Sequence, residues 1–301
     1  MNDRGREDIL VVDNLNTSSK WKNLIGKNFI DYIPKYEFLD FLNELDDSYN
    51  VECIYHLGAC SSTTENDMDY LYFNNYSYSK DLAVYALEND IKFIYASSAA
   101  TYGMGENGFD DREFIDLSPL NGYGYSKYLF DKWVVKMGLE NTFTGFKFFN
   151  VFGPNEYHKE SMTSMVYKSY HQISKTGQVR LFESNNKNFE DGGQKRDFIY
   201  VKDVCEVLLE AYDNDLPGIY NLGTGEANSW NVLVSNVFKS LNKDINIKYI
   251  EMPDDLKKQY QNFTEADMSK FRVAGYKTEF TQLDKSVNDY VKNYLKENKY
   301  L

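Results

Sequence analysis

Short apolar runs alternate with longer amphipathic stretches along the chain, and this alternation predicts βαβ units. The runs typical of strands cover residues 9–12, 51–55, 92–95, 146–149 and 218–222. Helical spacing of apolar positions is found at residues 36–45, 78–88, 125–137, 201–212 and 283–295. We therefore expect an α/β fold built on a mostly parallel sheet, with helices packed against its faces.

The pattern is looser after about residue 150, where polar residues interrupt the apolar runs. Residues 183–194 are rich in Asn, Gly and charged side chains, which is typical of a loop and not of core. We expect this loop to lie over a ligand site.

A Gly-rich turn is missing where a dinucleotide-binding fold would place one. Such a fold begins with a strand and a Gly-rich turn that leads the pyrophosphate to a helix N-terminus. Neither side of the first predicted strand carries this turn, and we expect the chain to start near the end of the first helix. The pattern G-x-G-x-x-G occurs once, from Gly103 to Gly108, but the residues after it predict no helix. We interpret that string as a flexible loop.

Composition narrows the possible partners. The formal net charge of −13, from 33 Lys and Arg against 46 Asp and Glu, argues against a broad nucleic-acid or anionic-membrane surface. No apolar run reaches membrane-spanning length, and the charged first residues do not form a signal peptide. Three cysteines without C-x-x-C spacing are typical of reduced thiols, so we expect a cytoplasmic protein without a metal site.

Candidate ligand-binding residues follow three predicted strands. Asp13 ends the first strand, where a carboxylate can meet an adenosine ribose, although Asp also ends strands for turn geometry. Small residues around Gly58 follow the second strand and either let a flat ligand approach or form a tight turn. Ser98 ends the third strand with a hydroxyl that can bind a substrate oxygen, whereas Ser97 only completes the strand.

Tyr123 and Lys127 stand four residues apart, on one face of a predicted helix. A neighbouring ammonium lowers the pKa of a phenol from about 10 toward use as an acid or base at neutral pH. Only Tyr123 follows the strand of Ser98 through a loop that can face a substrate, so position favours this pair. The same spacing recurs at Tyr76 with Lys80 and at Tyr128 with Lys132.

Basic residues in the second half complete the candidates. Lys159 stands in a polar loop after Pro154, where a lysine is usually just solvated. Lys195 and Arg196 form a basic pair that can clamp a diphosphate, because a guanidinium binds phosphate oxygens in a bidentate manner.

Together these motifs resemble the extended short-chain dehydrogenase/reductase family, which includes nucleotide-sugar epimerases and dehydratases. The strings that carry the resemblance are the Ser98 strand end, Tyr123-x-x-x-Lys127, Asn150-Val-Phe-Gly-Pro154, Arg196-Asp-Phe-Ile-Tyr-Val201 and Tyr220-Asn-Leu-Gly-Thr-Gly225. Further strings within residues 8–15, 58–65, 95–103, 158–162 and 260–267 resemble the branch that epimerises C6 of the heptose in an ADP-sugar. The resemblance implies a Rossmann-like doubly wound parallel sheet formed by residues 1–149, 198–226 and 262–275. It also implies a smaller interleaved α/β substrate domain formed by residues 150–197, 227–261 and 276–301.

The resemblance also implies an isomerase of lipopolysaccharide heptose synthesis. Tightly held NADP takes a hydride from C6 and returns it to the other face of the keto intermediate. Tyr123 and Lys159 match the family's two bases, Lys127 orients the ribose and tunes Tyr123, and Ser98 holds the reacting oxygen. The implied partners are the ADP-sugar and further copies of the chain, in a homo-oligomer that family resemblance suggests is a pentamer.

Two sets of binding residues carry over from the family. The set implied for NADP, with Lys20 and Lys35 as partners of a 2′-phosphate, is Asp13, Asn14, Lys20, Lys35, Leu57, Gly58, Ala59, Cys60, Ser61, Asn74, Lys127, Val151 and Lys159. The set implied for the ADP-sugar is Asn150, Ser161, Lys168, Phe182, Glu183, Ser184, Arg196 and Tyr260. Lys168 stands where the family usually has His, and residues 184–194 form a longer loop than the family's.

The missing start is the larger departure from the family. In the strand order 3-2-1-4-5-6 the first strand lies in mid-sheet, so its absence predicts two neighbouring strands with unpaired edges. We expect such a chain to bind NADP poorly and to turn over weakly. The alternatives are another nucleotide-sugar epimerase or dehydratase of the family, and a non-catalytic form without cofactor.

Overall fold

The computed structural model describes residues 1–44, 50–112, 116–257 and 260–301. Helices and strands alternate through the first half as predicted, and the α/β class is confirmed. The helix predicted at residues 36–45 is described as Phe38–Glu44, and Leu45 lies outside the described residues. None of the helices in these ranges combines the length and the apolar character that a bilayer crossing requires.

The strands are β1 (Leu10–Asp13), β2 (Asp31–Pro34), β3 (Cys53–His56), β4 (Lys92–Ser98), β5 (Thr144–Phe148), β6 (Asn150–Phe152), β7 (Val179–Phe182), β8 (Lys195–Tyr200), β9 (Gly218–Leu222), β10 (Ala227–Ser229) and β11 (Ile247–Ile250). The helices are α1 (Phe38–Glu44), α2 (Met68–Leu71), α3 (Tyr78–Glu88), α4 (Gly122–Lys136), α5 (Met165–Thr176), α6 (Val201–Asn214), α7 (Trp230–Ser240), α8 (Asp254–Lys257), α9 (Ser269–Val273) and α10 (Leu283–Asp289). Turns of π-helix join α2 to α3 at Tyr72–Ser77 and extend α10 at Tyr290–Leu295.

Four parallel strands form the central sheet in the order β3-β4-β5-β9. All four are apolar runs that the sequence predicts, and their ends differ from the prediction by at most three residues. Alternate residues of β4 face opposite helices. Phe93 and Tyr95 pack in one cluster with side chains of α4, whereas Ile94 packs in another with side chains of α6. Burial on both faces explains why these strands read as continuous apolar runs.

The strands β1 and β2 form a separate parallel sheet, in register from Leu10↔Asp31 to Asp13↔Pro34. Within the described residues, β1 pairs with β2 alone and β3 pairs with β4 alone. The expected break in strand pairing therefore lies between β1 and β3. Val12 and Ile54 nevertheless pack against the same apolar cluster, so the two sheets share a core.

The second half has more regular structure than the sequence pattern predicts. The strands β6, β8 and β10 form one sheet and β7 pairs with β11, while α5 and α7 cover an apolar core with α10. Each of these two helices begins after a capping serine. Ser164 accepts from Tyr167 N and Ser229 accepts from Val232 N, both at 3.2 Å. These caps are the sequence signal that apolar spacing alone missed. Residues 183–194 contain neither helix nor strand, as predicted.

A buried ion pair ties β5 to α4 behind the strand ends. Lys147 Nζ lies 2.7 Å from Asp131 Oδ2, and both side chains are at most 1% exposed. Ser97 donates to the same carboxylate at 2.6 Å, and Lys147 donates to Thr101 at 2.8 Å. Ser97 is thus a structural hydroxyl, as expected, and the network holds α4 against β4 and β5.

Candidate functional site

Ser98 and Tyr123 meet where the end of β4 touches the start of α4. Asn121 caps α4 by accepting a hydrogen bond from Gly124 N at 2.9 Å, which places Tyr123 in the first turn. A Cβ at Gly124 would lie 2.7 Å from Ala100 O, so a larger residue would push the helix away from the strand end. The phenol of Tyr123 hydrogen-bonds Ser98 across this junction.

Burial controls the titration of the Tyr–Lys pair. It raises the pKa of Tyr123, and the hydrogen bond with Ser98 offsets part of that shift. Lys127 is only 3% exposed; burial lowers its pKa to about 8, against the opposing effect of Asp131. The pKa of Tyr123 is thus shifted upward, opposite to the lowering expected from Lys127, because burial desolvates the phenol. Tyr123 holds its proton at neutral pH.

The two other Tyr–Lys pairs of the same spacing are packing pairs. Lys80 Nζ lies 5.3 Å from the centre of the Tyr76 ring and 5.4 Å from that of Trp133. Lys132 Nζ lies 5.7 Å from the Tyr128 ring. These are cation–π contacts of the kind found on protein surfaces. Among the described hydrogen bonds, Tyr123 is the tyrosine of these three pairs that is bonded to Ser98.

The loop after β3 is open to a ligand. Four of its residues are exposed: Leu57, Gly58, Ala59 and Ser61. A Cβ at Gly58 would have no other heavy atom within 4 Å. The fully buried Asn75 holds the loop from behind, accepting from Cys60 N at 2.8 Å and donating to Cys60 O at 2.9 Å. Asn75 also donates to Ser126 Oγ at 2.9 Å. No sequence pattern distinguishes Asn75 from its neighbour Asn74, and the sequence did not predict the role of Asn75 in holding this loop.

The carboxyl end of β1 carries the ion pair of Asp13 with Lys20, whose Oδ1 and Nζ lie 2.5 Å apart. Asp13 also accepts from Asn14 N at 2.7 Å. Lys35 donates to Asn74 Oδ1, and burial lowers the pKa of Lys35. A carboxylate and partly exposed lysines at a strand end suit a ribose and a phosphate. These residues therefore fit the adenosine end of a nicotinamide dinucleotide.

The G-x-G-x-x-G string lies away from β1. Gly103, Gly105 and Gly108 have φ values of 61°, 72° and 81° and belong to turns. These turns do not lead into a helix within residues 103–112. The predicted loop is thus confirmed, and in the described residues the string forms no phosphate-binding turn at a helix N-terminus.

Lys159 lies on an exposed loop on the side of the Asp13–Lys20 ion pair. The preceding residue, His158, experiences the charges of Asp13, Lys20 and Lys159, and burial lowers the pKa of His158. Among the described residues, no hydrogen bond or ion pair joins Lys159 to Tyr123. The loop of Lys159 thus lies within electrostatic range of the β1 end, and the pairing of Lys159 with Tyr123 as two bases stays a prediction.

Arg196 is a buried cation without a carboxylate partner among the described residues. Arg196 is 7% exposed, and burial lowers the pKa of its guanidinium. The guanidinium donates to Lys195 O at 2.8 Å and to Gln261 O. Its Cζ lies 5.1 Å from the Tyr260 ring and 5.7 Å from the Trp230 ring. A buried guanidinium with donors to spare favours an anionic ligand.

Phe182 completes this cluster, since its ring meets the Tyr260 ring edge-on with centroids 6.5 Å apart. The structure thus brings together three predicted substrate residues, Phe182, Arg196 and Tyr260. It adds Trp230, which sequence reasoning missed. Trp230 directly follows the capping Ser229, but nothing in the sequence links it to residues 182 or 260.

The remaining predicted substrate residues lie on loops and strand ends of the second half. Lys168 donates to Ser161 O at 2.6 Å, which joins α5 to the loop of Lys159. Ser184 N donates to Asp191 Oδ1 at 2.7 Å, so the longer loop folds back on itself. Two of the others, Asn150 and Glu183, are exposed. Val151, which was predicted to contact the cofactor, is partly exposed.

Comparison with known proteins gives one family and several close relatives. The model of the NAD dependent epimerase/dehydratase family matches residues 1–223. The ADP-L-glycero-D-manno-heptose-6-epimerase of Nitratidesulfovibrio vulgaris is 48% identical over 298 residues, covering 98% of this chain and 92% of the relative. The enzyme of the same name from Fusobacterium nucleatum is 46% identical over 314 residues, covering 100% of this chain and 95% of the relative.

Solved structures give the same picture of the fold. The ADP-L-glycero-D-manno-heptose-6-epimerase of Helicobacter pylori superposes with a TM-score of 0.80 at 29% identity, covering 95% of this chain and 87% of that one. A UDP-N-acetylglucosamine 4-epimerase from Methanobrevibacter ruminantium superposes equally well, with a TM-score of 0.80 at 23% identity and coverage of 96% and 91%. The second likeness speaks for the fold alone, because enzymes with different substrates share it.

Proposed function

Because the chain belongs to the NAD dependent epimerase/dehydratase family, we propose that it epimerises C6 of the heptose of an ADP-sugar. The reaction interconverts the D-glycero-D-manno and L-glycero-D-manno forms, and the relatives named for it are 48% and 46% identical to this chain over the aligned residues. The observation that carries the proposal is the junction of Ser98 with Tyr123, one helical turn from the buried Lys127.

A bound nicotinamide dinucleotide supplies reversible oxidation of the substrate carbon. Ser98 holds the reacting oxygen. Its hydroxyl is hydrogen-bonded to the Tyr123 phenol, so both groups can reach one substrate oxygen. Lys159 takes the hydroxyl proton on one face of the sugar as C6 is oxidised, and its exposed loop has to carry it to the sugar. Tyr123, whose raised pKa keeps its proton available, gives that proton to the carbonyl oxygen on the opposite face as C6 is reduced. Lys127 orients the nicotinamide ribose.

Loss of Lys20 is expected to weaken NADPH binding selectively. A charge-assisted hydrogen bond to a 2′-phosphate contributes enough that Lys20→Ala should raise the Kd for NADPH about ten- to a hundredfold. The Kd for NADH should stay unchanged, because NADH has no such phosphate. Nicotinamide fluorescence titrations measure both. Lys22→Ala, in the same helical turn Ser19–Leu24, is the matched control. An equal loss for the two nucleotides would contradict the choice of NADP over NAD.

Arg196→Gln is expected to weaken ADP binding about ten- to a hundredfold, because a charge-assisted contact to the diphosphate is lost. Gln keeps a planar donor of similar width, which limits the structural damage. Calorimetric titration with ADP measures the effect. The control is Arg180→Gln, whose arginine is exposed on β7. Unchanged ADP affinity in Arg196→Gln would remove Arg196 from the substrate site.

The reaction itself is tested by NMR with the ADP-heptose as substrate in D₂O. Conversion at C6 with the C6 hydrogen retained is expected, since a hydride that leaves and returns never exchanges with solvent. Deuterium at C6 would contradict the oxidation–reduction route. Loss of water, or inversion at C4 of a UDP-sugar, would favour another member of the family. The residues after Ser98 are Ala99 and Ala100, where the dehydratases have an acid pair.

A non-catalytic form of the chain that binds no cofactor is the second candidate. Titration with NADPH decides between the two candidates before any turnover assay. Tight binding supports the epimerase, and absence of binding supports the non-catalytic form.

Three wider features belong to the same proposal. We divide the chain into a cofactor domain of residues 1–149, 198–226 and 262–275 and a substrate domain of the remainder. The three cysteines are free thiols, which suits work in the cytoplasm. The assembly is proposed to be a homo-oligomer, and size measurement by light scattering tests it.

A further inference from the structure

Phe182, Arg196, Trp230 and Tyr260 form the cluster described above, here called the Arg196 cluster. Trp230 is the member that neither a motif nor a resemblance indicated. Its Nε1 lies 2.9 Å from the hydroxyl oxygen of Tyr260. Its ring stands over the Arg196 guanidinium, and Phe198 packs against it edge-on with centroids 5.1 Å apart. The position is rigid, because Trp230 is the first residue of α7 directly after the capping Ser229.

The chemistry of the indole fixes the direction of this hydrogen bond. An indole N–H can only donate, so the Tyr260 oxygen accepts and keeps its own proton for another acceptor. No hydrogen bond in the described part of the chain uses that proton. The free O–H lies beside Arg196, a second donor without a carboxylate partner among the described residues. Two donors therefore converge where an oxyanion can accept from both.

We propose that Trp230 is a positioning residue that commits the Tyr260 hydroxyl to donating, so that Tyr260 and Arg196 together bind the diphosphate of a nucleotide-sugar. This inference rests on the proposed function and deepens it. Without the indole N–H, the Tyr260 hydroxyl is free to rotate, and its proton no longer has a fixed direction. Trp230 thus acts through Tyr260, and its own ring does not have to touch the ligand.

Calorimetric titration of the full chain with ADP tests the coupling. Trp230→Phe keeps an aromatic ring and removes the N–H, and Tyr260→Phe removes the hydroxyl. Each is expected to raise the Kd for ADP about three- to tenfold, the range for one hydrogen bond. The double variant should bind ADP no more weakly than Tyr260→Phe, because both changes remove one interaction. Trp133→Phe, whose indole packs on Phe130 of α4, is the matched control and should bind as the unaltered chain does.

A merely structural role of Trp230 gives different results. In that case Trp230→Phe would weaken the binding of adenosine, which lacks phosphate, as much as the binding of ADP. Its effect on ADP affinity would also add to that of Tyr260→Phe in the double variant. Either result overturns the inference, as does an unchanged ADP affinity in Trp230→Phe. In turnover, the inference requires a raised KM with kcat nearly unchanged. The two proposals can fail separately. If Trp230→Phe and Tyr260→Phe show the expected coupling in ADP affinity but the chain does not epimerise the ADP-heptose, the proposed function is overturned and the inference about Trp230 stands.

Fluorescence provides a readout that does not depend on the Trp230 variant folding. The chain has three tryptophans, and replacing Trp21 and Trp133 with Phe leaves Trp230 as the sole indole. ADP should change its emission, because a ligand accepting from Tyr260 alters the polarity at the shared hydrogen bond. Unchanged emission at saturating ADP would overturn the inference.

Discussion

Tyr123→Phe is expected to lower kcat about 100- to 10,000-fold, the range for loss of a positioned acid–base group. The substitution removes the phenol oxygen and keeps the ring in the first turn of α4. The Ser98 hydroxyl then loses its partner, but the junction keeps Gly124 and its cap on Asn121. We therefore expect ADP and NADPH to bind with nearly unchanged Kd. Single-turnover measurement separates this chemical defect from binding.

The matched control for this variant is Tyr125→Phe. Tyr125 lies two residues along the same helix and is 45% exposed, so removing its hydroxyl should leave kcat unaltered. An equal loss in both variants would point to a disturbed helix. Turnover of Tyr123→Phe near that of the unaltered chain would remove the phenol from the mechanism.

Lys127→Met is expected to make the chain more stable and nearly inactive. The pKa of Lys127 is lowered from 10.5 to about 8 by burial, so folding carries a charged group into a site that disfavours the charge. That difference corresponds to about 3 kcal/mol of lost stability at neutral pH, which methionine would restore. The remaining carboxylate of Asp131 keeps Lys147 as its partner, at 2.7 Å. Turnover should fall because the variant lacks the ammonium that we propose orients the cofactor ribose.

The stability gained in Lys127→Met depends on pH, because the pKa of Lys127 is lower in the folded chain than in the unfolded chain. Below pH 8 the lysine is charged in both the folded and the unfolded chain, and the full difference in unfolding free energy appears. Between pH 8 and pH 10.5 the folded chain carries a neutral amine, so the advantage of Lys127→Met shrinks and then vanishes. Urea unfolding at neutral and alkaline pH measures it. Lys132→Met, exposed on the same helix, should show no such trend, and a destabilised Lys127→Met at neutral pH would contradict the prediction.

How far the sequence predicts the fold depends on where a segment is buried. The strands of the central sheet are covered by helices on both faces, so each is a continuous apolar run that is visible without neighbours. β6 and β10 have three residues each and pair with β8, so their pairing is set by contacts distant in sequence. α5 was missed because its apolar positions alternate with Tyr, His and Lys, and only Ser164 marks its start.

The site divides in the same way. Tyr123 and Lys127 could be placed from spacing and order along the chain, because one helix fixes their separation. The titration of Tyr123 could not, since the pKa depends on burial by residues that the sequence does not identify. Asn75 and Trp230 could not be found either. Each acts through a hydrogen bond to a residue at least 15 positions away, Cys60 and Tyr260 respectively.

The two parts of the site lie on separate parallel sheets. Within the described residues, Ser98 ends a strand of the four-stranded sheet, whereas Asp13 ends β1, which pairs with β2. Val12 of β1 and Ile54 of β3 pack against one apolar cluster, so side chains join the two sheets. A dinucleotide that contacts both strand ends would add a second connection between the sheets, so ligand binding and the rigidity of the two sheets relative to each other should rise together.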